Sequence, residues 1–481
     1  MNRFSAHTAL LLSVLLAPMP VAAADYVWLI GGGYDLDSSQ AQIEQNVLWV
    51  SRLLKQIPGA RTQRIYFDDG DNPAPDVKAQ LPLRGDDGLE PLRRLFAHGH
   101  VAGYRYRNHV LPQVDGGTEH AQLLAKLEQE IAALRPNDRL LIVFNGHGTR
   151  SRRDVLGNRL WLWNGTSLDV RGFDTLLARV PPTVPVRFVF TQCYAGAFAR
   201  LATDGRKNRC GFLAESEDQP AEGCSAGVDA DDYRDYTTYF FAALSGRTRL
   251  DEPLPFDPDL DGDGRVSLHE AHLYALRAGE SADLPRATSE VFLERWQPWY
   301  ADWRGLFGRN GDALPENIYA KLADAQTAVL GLPLEDRALR RELKQRRARE
   351  LLQARALQRR QRRQLQHIGA IQREIHRVVE RRWPQLPSPV NVPADAAAHS
   401  ELNDIAGFIR AHARYAELVL AQDRYAANED ALLALERRQT QFDKVLRLRK
   451  LARLQGRFQA EASVADREGY QRLLSCEQQG L

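Results

Sequence analysis

The sequence predicts an α/β protein in which a three-layer domain with a mostly parallel sheet is followed by an α-helical coiled-coil hairpin. Strand-like apolar segments near residues 26, 64, 140, 186 and 211 alternate with helical patterns, which is typical of a parallel sheet covered on both faces. Beyond residue 310, glycine becomes scarce and Arg, Gln, Leu and Ala dominate. A chain of 481 residues is long enough for two or three domains.

Residues 1–24 have the pattern of a secretory signal peptide. Arg3 supplies the positive start, residues 9–16 are apolar, and residues 22–24 offer a small-residue cleavage site. No later apolar run approaches the roughly 18 residues of a membrane span. We therefore expect a periplasmic or secreted protein, with an uncleaved anchor as the alternative.

The segments between the first strands predict helices and one insertion. Residues 39–56 carry apolar residues at helical spacing, and Ser39 with Gln42 matches a capping box. Residues 118–134 show the same spacing ahead of a proline. Residues 70–117 hold several Gly and Pro with little periodicity, which indicates a long loop or insertion.

Two apolar strands end at reactive side chains. Residues 140–145 lead to His147, which lies between two glycines, and residues 186–191 lead to Cys193. In open α/β sheets, active sites form beyond the carboxyl ends of parallel strands, where a His and a Cys can act as base and thiol nucleophile. Their separation is close to the roughly 50 residues of caspase-type sites. The alternative is a buried Cys and a surface His that never meet.

These motifs resemble the caspase–haemoglobinase fold and, within it, the legumain-like cysteine peptidases. The resemblance rests on His147-Gly148, on Cys193-Tyr-Ala-Gly196, and on residues 26–33 and 64–69 as first and second strands. It covers residues 25–310 and implies a three-layer caspase-like domain with endopeptidase activity. It also implies an oxyanion site formed by the backbone N–H groups of Gly148 and Cys193.

The same resemblance predicts where a substrate side chain would bind. The pocket residues that it implies are Gly33, Gln192, Glu215 and Ser216. Glu215 would select a basic residue, whereas Gln192 and Ser216 would hydrogen-bond an amide. Family members usually carry Ala at the position of Gln192. The alternative for these residues is ordinary loop polarity facing solvent.

Residues 259–270 match a twelve-residue EF-hand calcium loop, with Gly264 at the sharp turn. Calcium needs six to eight oxygen ligands, which we assign to Asp259, Asp261, Asp263, the Arg265 carbonyl, Ser267 and Glu270. Prolines at 253, 255 and 258 argue against a preceding helix. A capping box of Ser267 and Glu270 is the alternative, but it does not account for three alternating aspartates.

The four cysteines agree with export. Cys193 is the predicted nucleophile, Cys210 and Cys224 flank an apolar strand, and Cys476 is left over. We predict a Cys210–Cys224 disulfide, because an oxidising compartment permits one. The alternative is that both remain thiols.

The C-terminal region predicts two long helices joined by a proline-rich turn. Residues 337–382 carry 16 Lys and Arg against four Glu, although the net charge of the chain is only +2. A seam at 3-4-3 spacing is formed by Ile368, Ile371, Ile375 and Val378. The predicted parts are thus a signal peptide (1–24), a peptidase domain (25–310), a linker (311–333) and a basic helical region (334–481).

Partners follow from this charge. An anionic partner, self-association of the helices, or a solvated face paired with acidic residues each fit the basic region. Nucleic acid is disfavoured because aromatic residues for stacking are scarce. A dinucleotide site at Gly31–Gly33 is excluded, because position 36 is Leu.

The sequence as a whole therefore predicts an exported cysteine endopeptidase with one bound Ca²⁺, acting on peptide or protein substrates. The alternative is an inert, calcium-binding caspase-like scaffold that presents the basic hairpin to a partner.

Overall fold

A central sheet of six strands organises the chain. The computed structural model describes residues 24–56, 61–81, 83, 88–205, 208–222, 234–296, 314–384 and 396–481. From one edge of the sheet to the other, its strands are Arg286–Ala287, Arg209–Leu213, Val186–Phe190, Arg139–Gly146, Asp25–Gly32 and Arg61–Phe67. Neighbouring strands are parallel, except that the short edge strand Arg286–Ala287 is antiparallel to its neighbour. The predicted α/β class with a mostly parallel sheet is confirmed. The predicted signal peptide, residues 1–24, lies almost entirely outside the described residues.

Strands and helices alternate over about the first 300 residues, and the described elements after that are helices. The strands are β1 (Asp25–Gly32), β2 (Arg61–Phe67), β3 (Val77–Gln80), β4 (Tyr104–Arg107), β5 (Arg139–Gly146), β6 (Gly148–Thr149), β7 (Arg159–Leu162), β8 (Thr166–Asp169), β9 (Val186–Phe190), β10 (Arg209–Leu213) and β11 (Arg286–Ala287). The described helices of the α/β part are α1 (Ala41–Gln56), α2 (Glu90–Phe96), α3 (His120–Ala133), α4 (Val170–Leu177), α5 (Arg200–Thr203), α6 (Tyr236–Ser245), α7 (Leu268–Ala278) and α8 (Thr288–Trp296). They are followed by α9 (Ile318–Val329), α10 (Asp336–Arg382), α11 (Ala396–Arg410), α12 (Tyr415–Glu461) and α13 (Val464–Glu477).

Both faces of the sheet are buried, which makes three layers. In β1, Val27 and Leu29 pack with helices α1, α6 and α7, whereas Trp28 and Ile30 pack with α3, α4 and α5. This alternation follows from the two-residue period of a strand. It also explains why the strands of this sheet are continuous apolar runs in the sequence.

The carboxyl ends of β1, β5 and β9 lie at one edge of the sheet. Gly31 pairs with Asn145 in the register of β1 and β5, and Phe144 pairs with Phe190 in that of β5 and β9. The chain leaves the sheet at this edge in three adjacent places. That edge therefore receives the residues that follow each strand, including His147 and Cys193.

The segment 70–117, expected to be a loop or insertion, contains regular structure. Strands β3 and β4 form an antiparallel pair, and helix α2 follows β3. Leu92 and Leu95 of α2 are buried against Ile371 and Ile375 of α10. The insertion is thus a support for the long helices, which its irregular composition did not indicate.

The two long helices pack antiparallel. Leu339 and Leu343 at the start of α10 meet Phe442 and Val445 near the end of α12, and Ile375 near the end of α10 lies in one cluster with Leu418. Each helix has 47 residues, which corresponds to about 70 Å. The predicted hairpin is confirmed, with Val379 taking the buried position expected for Val378.

The end of the hairpin is joined to the α/β layers by packing and by charges. Helix α9 lies inside the segment 311–333, which was expected to be a linker. It is packed into the structure, because Tyr319 and Leu322 are buried against Leu448 of α12 and Leu273 of α7. Arg447 of α12 donates to Glu290 of α8 at 2.8 Å, and both side chains are buried. The helical region is therefore part of the same packed body.

No described helix is both long and apolar enough to cross a membrane.

Candidate active site

The imidazole of His147 lies just beyond strand β5, in contact with the turn after β1. Its Nε2 lies 2.8 Å from the backbone oxygen of Ser38. Because a carbonyl oxygen only accepts hydrogen bonds, Nε2 carries the proton and Nδ1 is the acceptor. Burial lowers the pKa of His147, and this outweighs the Ser38 hydrogen bond and the Asp35 charge, which raise it. The ring is therefore suited to accept a proton through Nδ1.

A buried carboxyl group shapes the turn that carries Ser38. Asp68, which follows β2, accepts from the Gly33 N–H at 2.7 Å and from the Ser39 hydroxyl. Burial raises the pKa of Asp68 well above its usual value, against the effect of these two hydrogen bonds. Gly33 is needed here because a Cβ would approach the Ser38 Oγ to 2.6 Å. The Asp68 contacts thereby fix the position of the Ser38 carbonyl.

Cys193 lies three residues beyond β9, at a sharp change of chain direction. The next residue, Tyr194, has a left-handed backbone with φ of 61°, which is rare for a bulky side chain and occurs where the surroundings enforce it. Cys193 is only 6% exposed. The Ala221 N–H donates to its Sγ at 3.3 Å.

Cys193 is disulfide-bonded in the structure. The partner in this bond lies outside the described residues. A disulfide sulfur is not a nucleophile, because attack requires the thiolate. The state described here therefore needs reduction before Cys193 can react with a carbonyl.

The structure brings the His147–Gly148 and Gln192–Cys193 dipeptides into contact. The Thr191 N–H donates to the Phe144 oxygen at 3.1 Å, which continues the β5–β9 ladder beyond the strands. A Cβ on Gly148 would overlap the Cys193 carbonyl and lie 2.7 Å from the Gln192 Cγ. Only glycine fits at this approach, which explains the residue that follows His147 in the sequence. Gly148 and Cys193, the predicted oxyanion residues, are thus adjacent.

The four predicted pocket residues differ in their surroundings. Both Glu215 oxygens are occupied, accepting from the N–H groups of Ser216 and Leu284 at 2.8 and 2.7 Å, and burial raises the Glu215 pKa. Gln192 is fully buried, and neither of its amide atoms has a hydrogen-bond partner among the described residues. Glu215 thus holds backbone in place, whereas Gln192 has unused hydrogen-bonding capacity beside Gly148.

Ser216 opens onto a cleft that is also lined by Gly196, three residues after Cys193. This cleft, of about 500 Å³, is also lined by Arg150, Arg152, Arg153 and Arg200. The Ser216 hydroxyl donates to Asp218 at 2.7 Å. Gly33 does not line this cleft and lies against Ser38 and Ser39. The sequence therefore predicted four pocket residues, of which Ser216 borders a described cleft.

The predicted Cys210–Cys224 disulfide is wrong, because Cys210 is bonded to Cys476. Helix α13 packs against β10 and brings the two Cα atoms within 5.9 Å. Cys224 lies outside the described residues. The two cysteines are 266 positions apart, so spacing in the sequence did not reveal the pairing.

The residues of the predicted calcium loop form a compact acidic turn before α7. Carboxylate oxygens of Asp259, Asp261 and Asp263 lie within 4.8 Å of one another. No described Lys, Arg or His side chain lies within 4.0 Å of these three groups. Gly264, with φ of 81°, provides the left-handed turn of such loops. The three carboxylates fit a divalent cation.

The last predicted ligands are placed at the start of α7. Ser267 and Glu270 form a complete capping box, so that part of the alternative also holds. One Glu270 oxygen accepts from the Leu260 and Asp261 N–H groups at 2.7 and 3.2 Å, which directs the carboxylate into the loop. Arg265 is exposed within the same turn, so its carbonyl is the group that the loop would use.

No protein-family model matches the sequence, and no curated protein is significantly similar to it. The sheet of five parallel strands and one antiparallel strand is compatible with a caspase-like fold. The finer resemblance to legumain-like peptidases therefore depends on the motifs around His147 and Cys193.

Sequence reasoning missed three groups around this site. The Ser38 carbonyl orients His147, Asp68 fixes that turn, and Ala221 contacts the Cys193 sulfur. The only one with a signal in the sequence was Asp68, an acidic residue directly after a buried strand. The Ser38 and Ala221 contacts are made by backbone atoms, which no residue type announces.

Proposed function

We propose that this protein is an exported, legumain-like cysteine endopeptidase whose nucleophile is Cys193 and whose general base is His147. The observation that carries the proposal is the close approach of Gly148 to the Cys193 carbonyl, which sets the chain segments that bear His147 and Cys193 side by side at the carboxyl edge of β5 and β9. The Ser38 hydrogen bond, which leaves Nδ1 as the proton acceptor, supports the same roles.

The proposed reaction begins with transfer of the Cys193 thiol proton to Nδ1 of His147. The thiolate attacks the substrate carbonyl, and the N–H groups of Gly148 and Cys193 stabilise the oxyanion. The imidazolium then gives its proton to the departing amine as the C–N bond breaks. Water, deprotonated by His147, hydrolyses the thioester and restores the thiol.

The disulfide at Cys193 makes the described form latent. A dithiol reductant must first open that bond by thiol–disulfide exchange, which oxidises the reductant and leaves Cys193 as the thiol. Cys193 and Cys476 are similarly buried, at 6% and 7% exposed, so exposure does not decide which bridge opens first. Graded reduction with peptide mapping follows the Cys193 bond separately from the Cys210–Cys476 bond.

Calcium at residues 259–270 is proposed to stabilise the domain. The loop precedes α7, whose residues Leu268 and Ala271 pack on the sheet. Bound Ca²⁺ would offset the repulsion among Asp259, Asp261 and Asp263 and tie the loop to Glu270. Its contribution is to fold stability, and the residues that carry the chemistry lie elsewhere in the sequence.

A second candidate is an inert calcium-binding scaffold that uses its basic helix. Two observations favour it: Cys193 is buried and oxidised, and one stretch of α10 has no compensating acid. None of the exposed Arg355, Arg359, Arg360, Arg362 and Arg363 has a carboxylate within 4.0 Å among the described residues.

One experiment separates the two candidates. The protein is treated with graded dithiothreitol, reacted with iodoacetamide, mapped by mass spectrometry, and assayed on a peptide library. The peptidase proposal expects hydrolysis to rise in parallel with alkylation of Cys193. His147→Ala should abolish hydrolysis while the thiol remains alkylatable. Cys193 that becomes fully reduced in a folded protein without any hydrolysis would favour the scaffold.

A further inference from the structure

The sulfur of Cys193 contacts a short segment, residues 219–222. The Ala221 N–H donates to the Cys193 Sγ at 3.3 Å, and the Gln219 carbonyl accepts from the Tyr194 N–H at 3.0 Å. Residues 219–222 thus run alongside Cys193 and Tyr194. This sulfur is disulfide-bonded in the structure; after reduction, a backbone N–H directed at it stabilises the thiolate more than the thiol, because the positive end of the N–H faces the charge.

The next residue, Glu222, is held by the long helix α12. Its side chain is 3% exposed and accepts from the Arg437 guanidinium, with Nε at 3.0 Å. Its other oxygen accepts from the Ala282 N–H, and its own N–H donates to Asp283 at 2.7 Å. The Thr440 hydroxyl of α12 donates to the Ala282 carbonyl at 3.1 Å. Helix α12 therefore holds Glu222 directly through Arg437 and indirectly through Ala282.

Charged groups around this segment are mostly acidic. Asp283 is buried and also accepts from the Tyr236 N–H at 2.9 Å. Lys444 of α12 donates to the Gly279 carbonyl at 2.6 Å and is fully buried. Arg437 is a positively charged partner of Glu222. It belongs to the helical region and not to the α/β domain.

We propose that Arg437 is a positioning residue for Cys193: by holding Glu222, it keeps the Ala221 N–H on the sulfur and so maintains the reactive thiolate. The inference rests on the proposed function, because it assigns a catalytic value to that thiolate. It gives the helical hairpin a role in positioning the nucleophile, although none of the α12 contacts described above is to His147, Gly148 or Cys193.

The test measures the thiolate directly. Full-length protein, mildly reduced, is alkylated with iodoacetamide at about pH 6.5 and about pH 9.5, below and above the ordinary thiol pKa of about 8.5. The rate at high pH reports access to Cys193, and the ratio of the low-pH to the high-pH rate reports the thiolate population. Arg437→Gln should lower this ratio, by up to about tenfold for a rise of one pKa unit.

The adjacent Arg438 provides a matched control. Its side chain is 51% exposed and pairs with Glu350 of α10, so Arg438→Gln should leave the ratio unchanged. Arg437→Lys should recover part of the ratio, because an ammonium also pairs with Glu222. Combining Arg437→Gln with Glu222→Gln should lower the ratio by less than the two single effects added together, because the two side chains share a contact.

The outcomes are distinct. An unchanged ratio in Arg437→Gln, with access also unchanged, overturns the positioning role. Higher access with an unchanged ratio also overturns it, since that result describes a loosened fold. If Arg437→Gln does not fold, Glu222→Gln alone decides by the same ratio. A lowered ratio in a protein that hydrolyses no peptide supports the positioning of Cys193 and refutes the peptidase proposal.

Discussion

Replacing Arg447 by Met should weaken the fold strongly, because it leaves a buried carboxylate without its main partner. The guanidinium donates to Glu290 at 2.8 Å, to Glu294 at 3.2 Å and to the Pro285 carbonyl at 2.9 Å. Burial alone would raise the Glu290 pKa, but Arg447 and His272 outweigh it and hold that pKa well below the usual range. Breaking a buried pair from one side costs about 3–5 kcal/mol.

The loss should depend on pH in a defined direction. In the native protein, the lowered Glu290 pKa stabilises the fold above the ordinary Glu value of about 4.3. That stabilisation is lost as pH falls towards the folded pKa. In Arg447→Met, the Glu290 pKa should rise, because the strongest influence that lowers it is removed, so the carboxyl group takes up a proton at a higher pH. The difference in stability should therefore be largest near neutral pH and smaller near pH 4.

Urea unfolding followed by tryptophan fluorescence measures this difference. Arg438→Met is the control, because that side chain is 51% exposed, so its removal should cost much less than removal of the buried Arg447. Adding Glu290→Gln to Arg447→Met should recover part of the loss by removing the buried charge. Equal losses for Arg447→Met and Arg438→Met, or a loss that does not change with pH, would refute the reasoning.

Three further outcomes are expected. In mildly reduced protein, Cys193→Ala and His147→Ala should each abolish peptide hydrolysis without lowering the melting temperature by more than a few degrees; retained hydrolysis in Cys193→Ala contradicts the mechanism. Cys210→Ala with Cys476→Ala should lower stability by up to about 5–6 kcal/mol, the chain-entropy value for a separation of 266; peptide mapping that finds Cys210 joined to Cys224 contradicts the pairing. Calcium at about 100 times its dissociation constant should stabilise by about 2.7 kcal/mol, and Asp261→Ala should remove that effect; a titration without heat or melting shift leaves only the capped start of α7.

The sheet was predictable because its signal is local. Fully buried strands are continuous apolar runs, and those near residues 26, 140 and 186 became β1, β5 and β9. The adjacency of Gly148 and the Cys193 carbonyl followed, since parallel strands end at one edge. Ser39, expected to cap the first helix, instead donates to Asp68, and the helix begins at Ala41. The predicted capping box did not form at Ser39, because its hydroxyl is hydrogen-bonded to Asp68, 29 positions away.

The docking of the helical region was not predictable from residue types. Lys444 and Arg447 have the appearance of solvated charges in a basic helix, yet they are 0% and 7% exposed. Their burial depends on Gly279 and Glu290, which lie 165 and 157 positions earlier. The sequence predicted long helices in this region, but it carried no information on which charges would find partners. The Arg437 contact to Glu222 escaped prediction for the same reason.

The Cys210–Cys476 bridge has a consequence for how the protein is made. Cys210 sits on the central sheet, but its partner is in α13, so the native bond cannot form until nearly the whole chain has been synthesised. An oxidant that joined cysteines in their order of emergence would link Cys193 to Cys210 first. Exchange between mixed disulfides takes seconds to hours without a dedicated catalyst. Correct formation of this bridge therefore requires either that oxidation follow synthesis of α13 or that earlier, non-native pairings be exchanged.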